Sequence, residues 1–458
     1  MTNSRVHFVG IGGIGMSGIA LLLMQRGIRV SGSDAKESET VATLRQAGAE
    51  VFVGHAAENV RDATEIVVSS AIREDNPELV EARRLGLPRL HRSEKLAWLV
   101  NSRRGITIAG THGKTTTTSM AATVMSAAGM APSYVVGGII KSFGDNSRAS
   151  DSEWIVIEAD ESDGSLVNYR SEIAVLTNVE LDHADFYDSL EKVDDVFCAY
   201  LDNVIPGGTC VYCADDPGAA RVIARCPGLR TVSYGFDPAR DVSARDVRHA
   251  GYGSTFEVCR RGEPLGTVTL SVPGRHNVLN ALAAIAVGLV LEIPFRAVAA
   301  GIAEFDGVGR RFQILGRSDD YLVVDDYAHH PSEVKATLAA ARLAHPGRIV
   351  AAFQPHRYTR VEALAGEFGR AFDDADVVVL ADIYAASEDP IPGISSELIA
   401  EKIRLNGKTQ VFCPGSLPTV ERFVLDTVKP GDLLLTMGAG DLVKTAHTLA
   451  AQLTANGG

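Results

Sequence analysis

One glycine-rich loop holds the residue types best suited to phosphate chemistry, and it reads Gly110-Thr111-His112-Gly113-Lys114-Thr115-Thr116. It follows the apolar run Ile106 to Ala109, which is typical of a strand, and it opens a helical stretch. In that setting backbone N–H groups point at phosphate oxygens, Lys114 reaches the β- and γ-phosphates, and Thr115 can ligate Mg²⁺. A surface loop without a ligand is the alternative, and the flanking strand and helix argue against it.

Acidic side chains follow two apolar runs that are typical of strands. One group, Glu158 to Asp163, comes after Trp154 to Ile157, and another, Thr177 to His183, comes after the next such run. Both strands are expected in the sheet that carries the phosphate loop, where carboxylates can ligate Mg²⁺. His183 could bind a second metal ion through its neutral imidazole. A solvated turn explains each acid alone, but the two groups together favour a metal site.

A second glycine-rich turn, Gly10 to Gly15, fits the pattern G-x-G-x-x-G between the strand Val6 to Val9 and the helix Met16 to Arg26. Asp34 ends the following strand. Glycines let the backbone approach a diphosphate, and the helix N-terminus favours its negative charge. A tight turn without a ligand is the alternative. The pattern predicts a nucleotide diphosphate, but it does not choose between a dinucleotide and a UDP-sugar.

Two later regions place polar side chains where ligands bind. His276 and Asn280 are four residues apart, hence on one helix face, where they could hold a base or merely begin a core helix. Two histidines also occur in Asp325 to Pro331, and one histidine and two arginines occur in Gln354 to Arg360, each segment directly after a predicted strand. Open α/β sheets bind ligands at these strand ends, so an anionic or carboxylate ligand is expected.

Strand-like and helix-like stretches alternate almost throughout, which predicts an α/β protein of three domains. Residues 1–103 are expected to form a Rossmann-like domain. Residues 104–312 are expected to form a phosphate-loop domain with a parallel sheet, to which short alternating runs between Asp241 and Val272 add an antiparallel flap. Residues 313–458 are expected to form an open α/β sheet.

The composition excludes several classes of protein. The 458 residues include 57 acidic and 44 basic side chains, and this net charge of −13 argues against nucleic-acid binding. An apolar fraction of 46% excludes a disordered chain, and six cysteines are too few for a disulfide scaffold. Cys210 and Cys213 form one C-x-x-C pair, which we interpret as strand positions. The run Val6 to Met24 is broken by glycines and lacks a signal-peptide cleavage site. We therefore expect a cytoplasmic protein without membrane insertion.

These segments together resemble the Mur ligase family, and the resemblance covers all three blocks. The segments that carry it are Gly10 to Ala20, Gly110 to Thr117, Glu158 to Asp163, Thr177 to Asp185, Pro273 to Ala284, Gly307 to Phe312, Asp325 to Pro331 and Gln354 to Arg360. The phosphate loop alone indicates the wider family, which includes folylpolyglutamate synthetase. The N-terminal glycine turn and Asp325 to Pro331 narrow it to the alanine-adding branch. Several siblings carry a carbamylated lysine beyond the metal histidine, where this chain has Phe197 and Cys198.

The resemblance implies an ATP-dependent ligase that joins L-alanine to UDP-N-acetylmuramate through an acyl phosphate, in peptidoglycan precursor synthesis. The implied catalytic residues are Lys114, Glu158 and His183, and the implied Mg²⁺ ligands are Thr115, Glu158 and His183. The implied ATP-binding residues are Gly110, Thr111, His112, Gly113, Lys114, Thr115, Thr116, His276, Asn280, Arg310 and Arg311. The implied UDP-sugar residues are Gly12, Gly13, Gly15, Asp34 and Ser70, and those for alanine are Tyr327, His329, His356 and Arg357. A monomer or weak homodimer is expected.

Three other interpretations stay open from the sequence. The nearest is the murein tripeptide recycling ligase of the same family, whose N-terminal glycine turn differs from the one here. A nicotinamide-dependent oxidoreductase would use Gly10 to Gly15 and Asp34, but it leaves Lys114, Glu158 and His183 without a role. A nucleotide-gated switch would bind ATP without forming an amide.

Overall fold

The computed structural model describes residues 4–69, 71–182, 186–407 and 409–454. The chain separates into two compact units. The first unit comprises residues up to 179 together with 194–233 and 283–301, and the second comprises 180–193, 234–282 and the chain from 302 onward. Within the described residues, no helix combines the length and apolar character that a membrane span requires.

The N-terminal part of the first unit is a five-stranded parallel sheet in the order β3-β2-β1-β4-β5. Its elements are β1 (Arg5–Val9), α1 (Ile14–Gln25), β2 (Arg29–Asp34), α2 (Glu39–Gln46), β3 (Glu50–Val53), β4 (Glu65–Val68), α3 (Pro77–Leu85), β5 (Arg89–His91) and α4 (Arg92–Asn101). A short 3₁₀ helix, Ala57–Val60, precedes β4. Val9, Ile66 and Val68 pack against Leu79 and Ala82 of α3, which covers one face of the sheet. The glycine turn follows the carboxyl end of β1 and contacts the carboxyl end of β2.

The remainder of the first unit is built on strands in the order β11-β10-β6-β9-β7-β8, and only β8 in this set is antiparallel to its neighbour. The elements that begin in this part of the chain are β6 (Arg104–Ala109), α5 (Lys114–Ala127), β7 (Ser133–Ile140), β8 (Asp145–Arg148), β9 (Trp154–Glu158), β10 (Ser171–Leu176), α6 (Leu190–Leu201), β11 (Val204–Cys213), α7 (Pro217–Ala224) and β12 (Thr231–Gly235), with a 3₁₀ helix at Ser165–Asn168. Helix α5 is buried from Thr115 to Met125. Cys210 and Cys213 lie buried in β11, as predicted.

The second unit contains the antiparallel flap that the alternating runs predicted. Its strands are β13 (Val242–Ala250), β14 (Gly253–Arg260) and β15 (Glu263–Leu270). Two helices follow the flap along the chain, α8 (Arg275–Val290) and α9 (Phe295–Glu304), and both extend across the division between the units.

The C-terminal sheet of the second unit has the order β16-β17-β21-β18-β19-β20, in which only β16 pairs antiparallel. Its elements are β16 (Gln313–Arg317), β17 (Tyr321–Asp326), α10 (Pro331–Ala344), β18 (Ile349–Phe353), α11 (Tyr358–Ala371), β19 (Val377–Ala381), α12 (Ser396–Asn406), β20 (Gln410–Gly415), α13 (Leu417–Thr427), β21 (Asp432–Met437) and α14 (Leu442–Thr454). Successive strand residues alternate between two cores. Val324 and Leu435 pack with α10, α11 and α12, whereas Val323 and Leu434 pack with α13 and α14.

These sheets confirm the predicted α/β class. The domain boundaries proposed at 103/104 and 312/313 stay a prediction. The strands β3, β5 and β16 were not predicted, because they are only three to five residues long and none of them shows an alternation of apolar and polar residues that extends over several positions.

Candidate active site

The phosphate loop between β6 and α5 requires glycine at two positions. Gly110 and Gly113 have φ angles of +133° and +81°, which disfavour any side chain. A Cβ atom on Gly110 would also lie 2.0 Å from Thr177 Oγ1. Thr177 donates its hydroxyl to the His112 carbonyl at 2.7 Å, and Asn178 Oδ1 accepts the His112 N–H at 2.8 Å. The residues that follow β10 therefore hold the loop in a fixed form.

Lys114, the first residue of α5, is held within this loop. Its Nζ donates to the carbonyls of Gly110 and Thr111 at 2.8 and 3.1 Å, and it lies 2.7 Å from Glu161 Oε2. Burial would lower the pKa of Lys114, but the carboxylates of Glu161, Asp160 and Glu158 outweigh it and raise the pKa above its usual range. The ammonium group is therefore charged at neutral pH. Glu161 lies in the acidic segment Glu158 to Asp163, but it was not among the predicted site residues.

Thr115 and Glu158 form a pair of oxygen donors beside Lys114. The Thr115 hydroxyl donates to Glu158 Oε2 at 3.1 Å, and Glu158 Oε1 accepts the Gly137 N–H at 2.5 Å. A hydroxyl and a carboxylate are hard oxygen ligands of the kind that Mg²⁺ prefers, so these two predicted ligands fit that ion. His183, the third predicted ligand, lies outside the described residues.

The glycine turn after β1 is held by the end of β2. Gly10 and Ile11 donate their N–H groups to the Ser33 carbonyl at 2.8 and 2.9 Å. Gly12 donates its N–H to Asp34 Oδ2 at 2.9 Å. Asp34 therefore anchors the turn itself, and its predicted place beside UDP stays a prediction.

The other predicted UDP-sugar residues differ in what surrounds them. Gly13 is the residue before α1 and has φ −62°, which any residue can adopt. A Cβ atom on Gly15 would lie 3.5 Å from Arg92 Nη1, so a guanidinium group lies beside the first turn of α1. Ser70 lies outside the described residues.

Arg92 was not predicted from the sequence. It begins α4, directly after β5, at the carboxyl end of the N-terminal sheet. That position is where open α/β sheets bind ligands, and it is the signal that could have identified this residue. Its Nη2 donates to Asp160 Oδ2 at 3.2 Å. Burial would raise the pKa of Asp160, but Lys114 and Arg92 outweigh it and keep the pKa below its usual range.

In the second unit, the structure brings together three predicted alanine-binding rings. The His329 ring lies 5.4 Å from Tyr327 and 5.8 Å from His356, between centroids, and His356 stacks on Tyr384 at 5.6 Å. Arg357 caps α11 with φ +69° and donates its N–H to the Tyr384 carbonyl at 2.8 Å.

Both histidines of this group are neutral at physiological pH. Burial lowers the pKa of His329 to about 4 and that of His356 to about 3. The positive charge for a carboxylate must therefore come from arginine. Arg360, which was not among the predicted residues, lies 3.4 Å from His356 Nδ1 and donates to Asp182 Oδ1 at 2.9 Å.

The residues predicted for the adenine end of ATP also lie in the second unit. Asn280 Nδ2 donates to Asn277 Oδ1 at 3.1 Å, and both side chains are buried. Burial, reinforced by the charge of Arg311, lowers the pKa of His276 to about 4, so its ring is neutral. A neutral imidazole ring is suited to stacking on an adenine base, which is the role predicted for His276.

Arg310 and Arg311 flank one ring of the second unit. Their Cζ atoms lie 4.8 and 5.1 Å from the centroid of Tyr327. Arg310 donates from Nη2 to the Gly438 carbonyl at 2.6 Å and lies 3.3 Å from Asp325. Arg310 is therefore engaged within its own unit, and Arg311 Nη1 lies 4.0 Å from Glu333 Oε1 in the same unit. The phosphate role proposed for either arginine stays a prediction.

Three family models match the chain along its length. They are described as "Mur ligase family, catalytic domain" over residues 5–104, "Mur ligase middle domain" over residues 108–288, and "Mur ligase, glutamate ligase domain" over residues 310–440. Among curated proteins, the chain is similar to the UDP-N-acetylmuramate–L-alanine ligase of Geotalea uraniireducens (strain Rf4). The two are 47% identical over 449 residues, which is 98% of each chain.

Solved structures agree with this similarity. The crystal structure of the UDP-N-acetylmuramate-alanine ligase from Thermotoga maritima has a TM-score of 0.83 and 30% identity, covering 98% of this chain and 99% of that one. A murein peptide ligase from Psychrobacter arcticus has a TM-score of 0.73 and 25% identity, covering 99% of both chains. The resemblance that the sequence showed is thereby confirmed, and the chain belongs to the Mur ligase family.

Proposed function

We propose that this protein is an ATP-dependent ligase that joins L-alanine to the carboxylate of UDP-N-acetylmuramate, with release of ADP and phosphate, in peptidoglycan precursor synthesis. The observation that carries the proposal is the charged Lys114 beside the Thr115–Glu158 pair, in a chain similar to an L-alanine ligase over nearly its whole length. A phosphate loop that contains a charged lysine supports phosphoryl transfer. The hydride transfer of a nicotinamide-dependent oxidoreductase would not require that lysine.

The chemistry explains why such a site is required. A carboxylate does not condense with an amine at neutral pH, so it must first be activated. Its oxygen attacks the γ-phosphorus of ATP, the bond to the ADP oxygen breaks, and an acyl phosphate forms. The alanine amine then attacks the carbonyl carbon, and phosphate leaves from the tetrahedral intermediate. Two anions meet in the first step, so fixed cations must offset their repulsion.

Lys114 is the residue that we assign to the β- and γ-phosphates. Its ammonium group is charged and rests on the carbonyls of the loop that would surround the phosphates. Of the other loop residues, Gly113 and Thr116 would offer N–H groups at the start of α5. The N–H groups of Thr111 and His112 are given to Asn178, so these two residues and Gly110 would line the loop. Thr115, Glu158 and His183 would hold Mg²⁺, which supplies charge neutralisation of the phosphate oxygens when bound.

The remaining substrate groups are assigned by residue chemistry within each unit. Gly12, Gly13 and Gly15, with Asp34 and Ser70, would hold the UDP end in the first unit. In the second unit His276 and Asn280 would hold the adenine, and Arg310 or Arg311 would contact phosphate. Tyr327, His329, His356 and Arg357 would hold alanine, with Arg357 facing its carboxylate and the neutral imidazoles orienting it by hydrogen bonds.

A phosphate-release assay with ATP, Mg²⁺ and UDP-N-acetylmuramate tests the proposal. We expect release that depends on L-alanine and is slower with glycine or L-serine, since a small side-chain pocket discriminates modestly per methylene. A preference for the tripeptide L-alanyl-γ-D-glutamyl-meso-diaminopimelate would instead indicate a recycling ligase. ATP binding without amide formation would indicate a nucleotide switch.

A further inference from the structure

Arg92 lies between the glycine turn of β1–α1 and the acidic segment that follows β9. Its Nη1 is 3.5 Å from the position that a Cβ atom on Gly15 would occupy. Its Nη2 contacts Asp160 Oδ2 at 3.2 Å and lies 3.9 Å from Asp163 Oδ2. The two nitrogens of one guanidinium group therefore face two different structural elements of the first unit.

The two aspartates are themselves held in place. Asp160 Oδ1 accepts the Ser162 N–H at 3.2 Å, and Asp163 Oδ1 accepts the Ser165 N–H at 3.0 Å. Each carboxylate thus uses one oxygen on its own turn and presents the other to Arg92. This arrangement fixes the Nη2 edge of the guanidinium group and leaves the Nη1 edge beside α1.

The glycine turn contains no charged side chain of its own. Two of its N–H groups are given to the Ser33 carbonyl, a third to Asp34 and a fourth, that of Gly13, to the Gly10 carbonyl, so most of its donor capacity is used by the protein. Asp34 also adds a negative charge next to the turn. A cation beside the turn would offset the charge of a diphosphate bound there, and Arg92 lies beside the first turn of α1.

We propose that Arg92 binds the diphosphate of the UDP-sugar through its Nη1 edge while Asp160 positions the guanidinium group through its Nη2 edge. The inference rests on the proposed function, because it names a further residue for that same substrate. A guanidinium group offers five donors in a rigid fork, so one arginine can serve both anions at once. An arginine held in place beforehand loses less side-chain freedom when the ligand binds.

The change in UDP affinity on Asp160→Asn distinguishes a positioning role of Asp160 from simple electrostatic repulsion. Asp160 is an anion near a polyanionic ligand, so long-range repulsion alone predicts that Asp160→Asn tightens UDP binding. If Asp160 positions Arg92, the same change weakens UDP binding, because the guanidinium group loses its charged partner. The two explanations therefore predict opposite changes in the same dissociation constant.

Isothermal titration of the full chain with UDP, in the absence of ATP and of metal ions, is the test. We expect Arg92→Gln to raise the Kd for UDP by about tenfold or more, as expected for loss of a charge-assisted contact. Arg92→Lys should recover only part of that loss, because lysine keeps the charge but not the fork. Asp160→Asn should raise the Kd by about threefold. In steady-state assays Arg92→Gln should raise KM for the UDP-sugar far more than it lowers kcat.

Arg61→Gln is the matched control, because it removes the same charge from the same sheet domain. Arg61 is 61% exposed and pairs with Glu58 on the surface, so its loss should leave the Kd for UDP unchanged. An unchanged Kd in Arg92→Gln, or a lower Kd in Asp160→Asn, would overturn the inference. If Arg92→Gln fails to fold, Arg92→Lys and Asp160→Asn still decide the question. Failure of the unaltered chain to bind UDP would instead contradict the proposed function.

Discussion

The two glycine turns of the first unit use the same backbone geometry for different electrostatic tasks. Both follow a parallel strand and open a helix, at Gly10–Gly15 and at Gly110–Lys114. The phosphate loop, Gly110–Lys114, contains its own cation, Lys114, whose pKa is raised because neighbouring carboxylates outweigh the effect of its burial. The first turn has no charged residue, and the guanidinium group beside it belongs to a helix much later in the chain. The turn proposed for phosphoryl transfer contains its own cation, Lys114. The turn proposed for binding alone has a cation, Arg92, that another helix places beside it.

The turns also differ in how strictly they need glycine. Gly110 combines positive φ with a Cβ position only 2.0 Å from Thr177 Oγ1, so any side chain there would displace the loop. Gly13 has an ordinary φ, and its Cβ position is 3.4 Å from its nearest neighbour, the Gly10 carbonyl oxygen. The backbone alone requires glycine at Gly110, whereas at Gly13 only a ligand would require it.

The largest expected effect comes from removing the resident cation. Lys114→Ala should lower the rate of ADP formation by at least about a thousandfold, because the phosphoryl charge loses its fixed partner. UDP binding should stay within about twofold, since the two turns bind different phosphates. Quenched-flow measurement of ADP and titration with UDP check both parts. Lys192→Ala, at an exposed i,i+4 pair with Asp188, is the control. Loss of UDP binding in Lys114→Ala would contradict the separation of the two turns.

A smaller loss is expected at the oxygen ligands next to that lysine. Glu158→Gln keeps an acceptor for the Gly137 N–H but removes the charge that favours Mg²⁺. We expect kcat to fall by about a hundredfold and the Mg²⁺ concentration for half-maximal rate to rise. A Mg²⁺ titration of phosphate release measures both. Glu153→Gln, immediately before the same strand and 64% exposed, should change neither. Unchanged Mg²⁺ dependence would remove Glu158 from the metal site.

A substitution in the turn Gly10–Gly15 should have a smaller effect, and it should change the affinity for UDP rather than the stability of the fold. Gly13→Ala should change the free energy of unfolding by less than about 1 kcal/mol, since its φ and surroundings accept a methyl group. It should raise the Kd for UDP by about tenfold, because the methyl group occupies space that a diphosphate needs. Chemical denaturation and UDP titration separate these effects. Gly366→Ala in α11, where no atom lies within 4 Å of the new Cβ, should leave UDP binding unchanged. Normal UDP affinity in Gly13→Ala would mean that the turn is only structural.

The last prediction concerns a pH dependence in the second unit that is absent at neutral pH. The pKa of His329 lies at about 4 in the folded protein, below the ordinary value near 6.5, because burial disfavours its charged form. Unfolded chains therefore bind a proton that the folded chain does not, and stability is lost as pH falls from about 6.5 towards 4.

His329→Asn removes this contribution, so the free energies of unfolding of the native and variant chains should converge or cross as pH falls through that window. The expected change in their difference is about 3 kcal/mol. Urea denaturation at several pH values measures it. Groups whose pKa does not depend on His329, such as Asp326, whose pKa burial raises to about 6, cancel in the comparison. A difference that is constant with pH would contradict a buried neutral imidazole at His329.

Local patterns were sufficient for the strands and turns that carry the phosphate loop. The apolar run before Gly110, the glycines and the lysine lie within a few residues of one another, so their spacing predicted that the loop opens a helix, and α5 begins there at Lys114. The same holds for β9, which ends at Glu158. Partners that are distant in the chain had no such signal. Arg92 and Asp160 are 68 residues apart, and Arg360 and Asp182 are 178 apart.

The sequence by itself determined the class of fold, the two glycine turns, the lysine and acids that fit phosphate chemistry, and the family. These depend on periodicity and short-range spacing, which survive without knowledge of the folded chain. Only the tertiary structure decided which carboxylates keep Lys114 charged, that Asp34 anchors a turn, that His329 and His356 are neutral, and that Arg92 lies beside Gly15. Charge states and donor directions depend on burial and on neighbours brought together by the sheets, and a linear pattern carries neither.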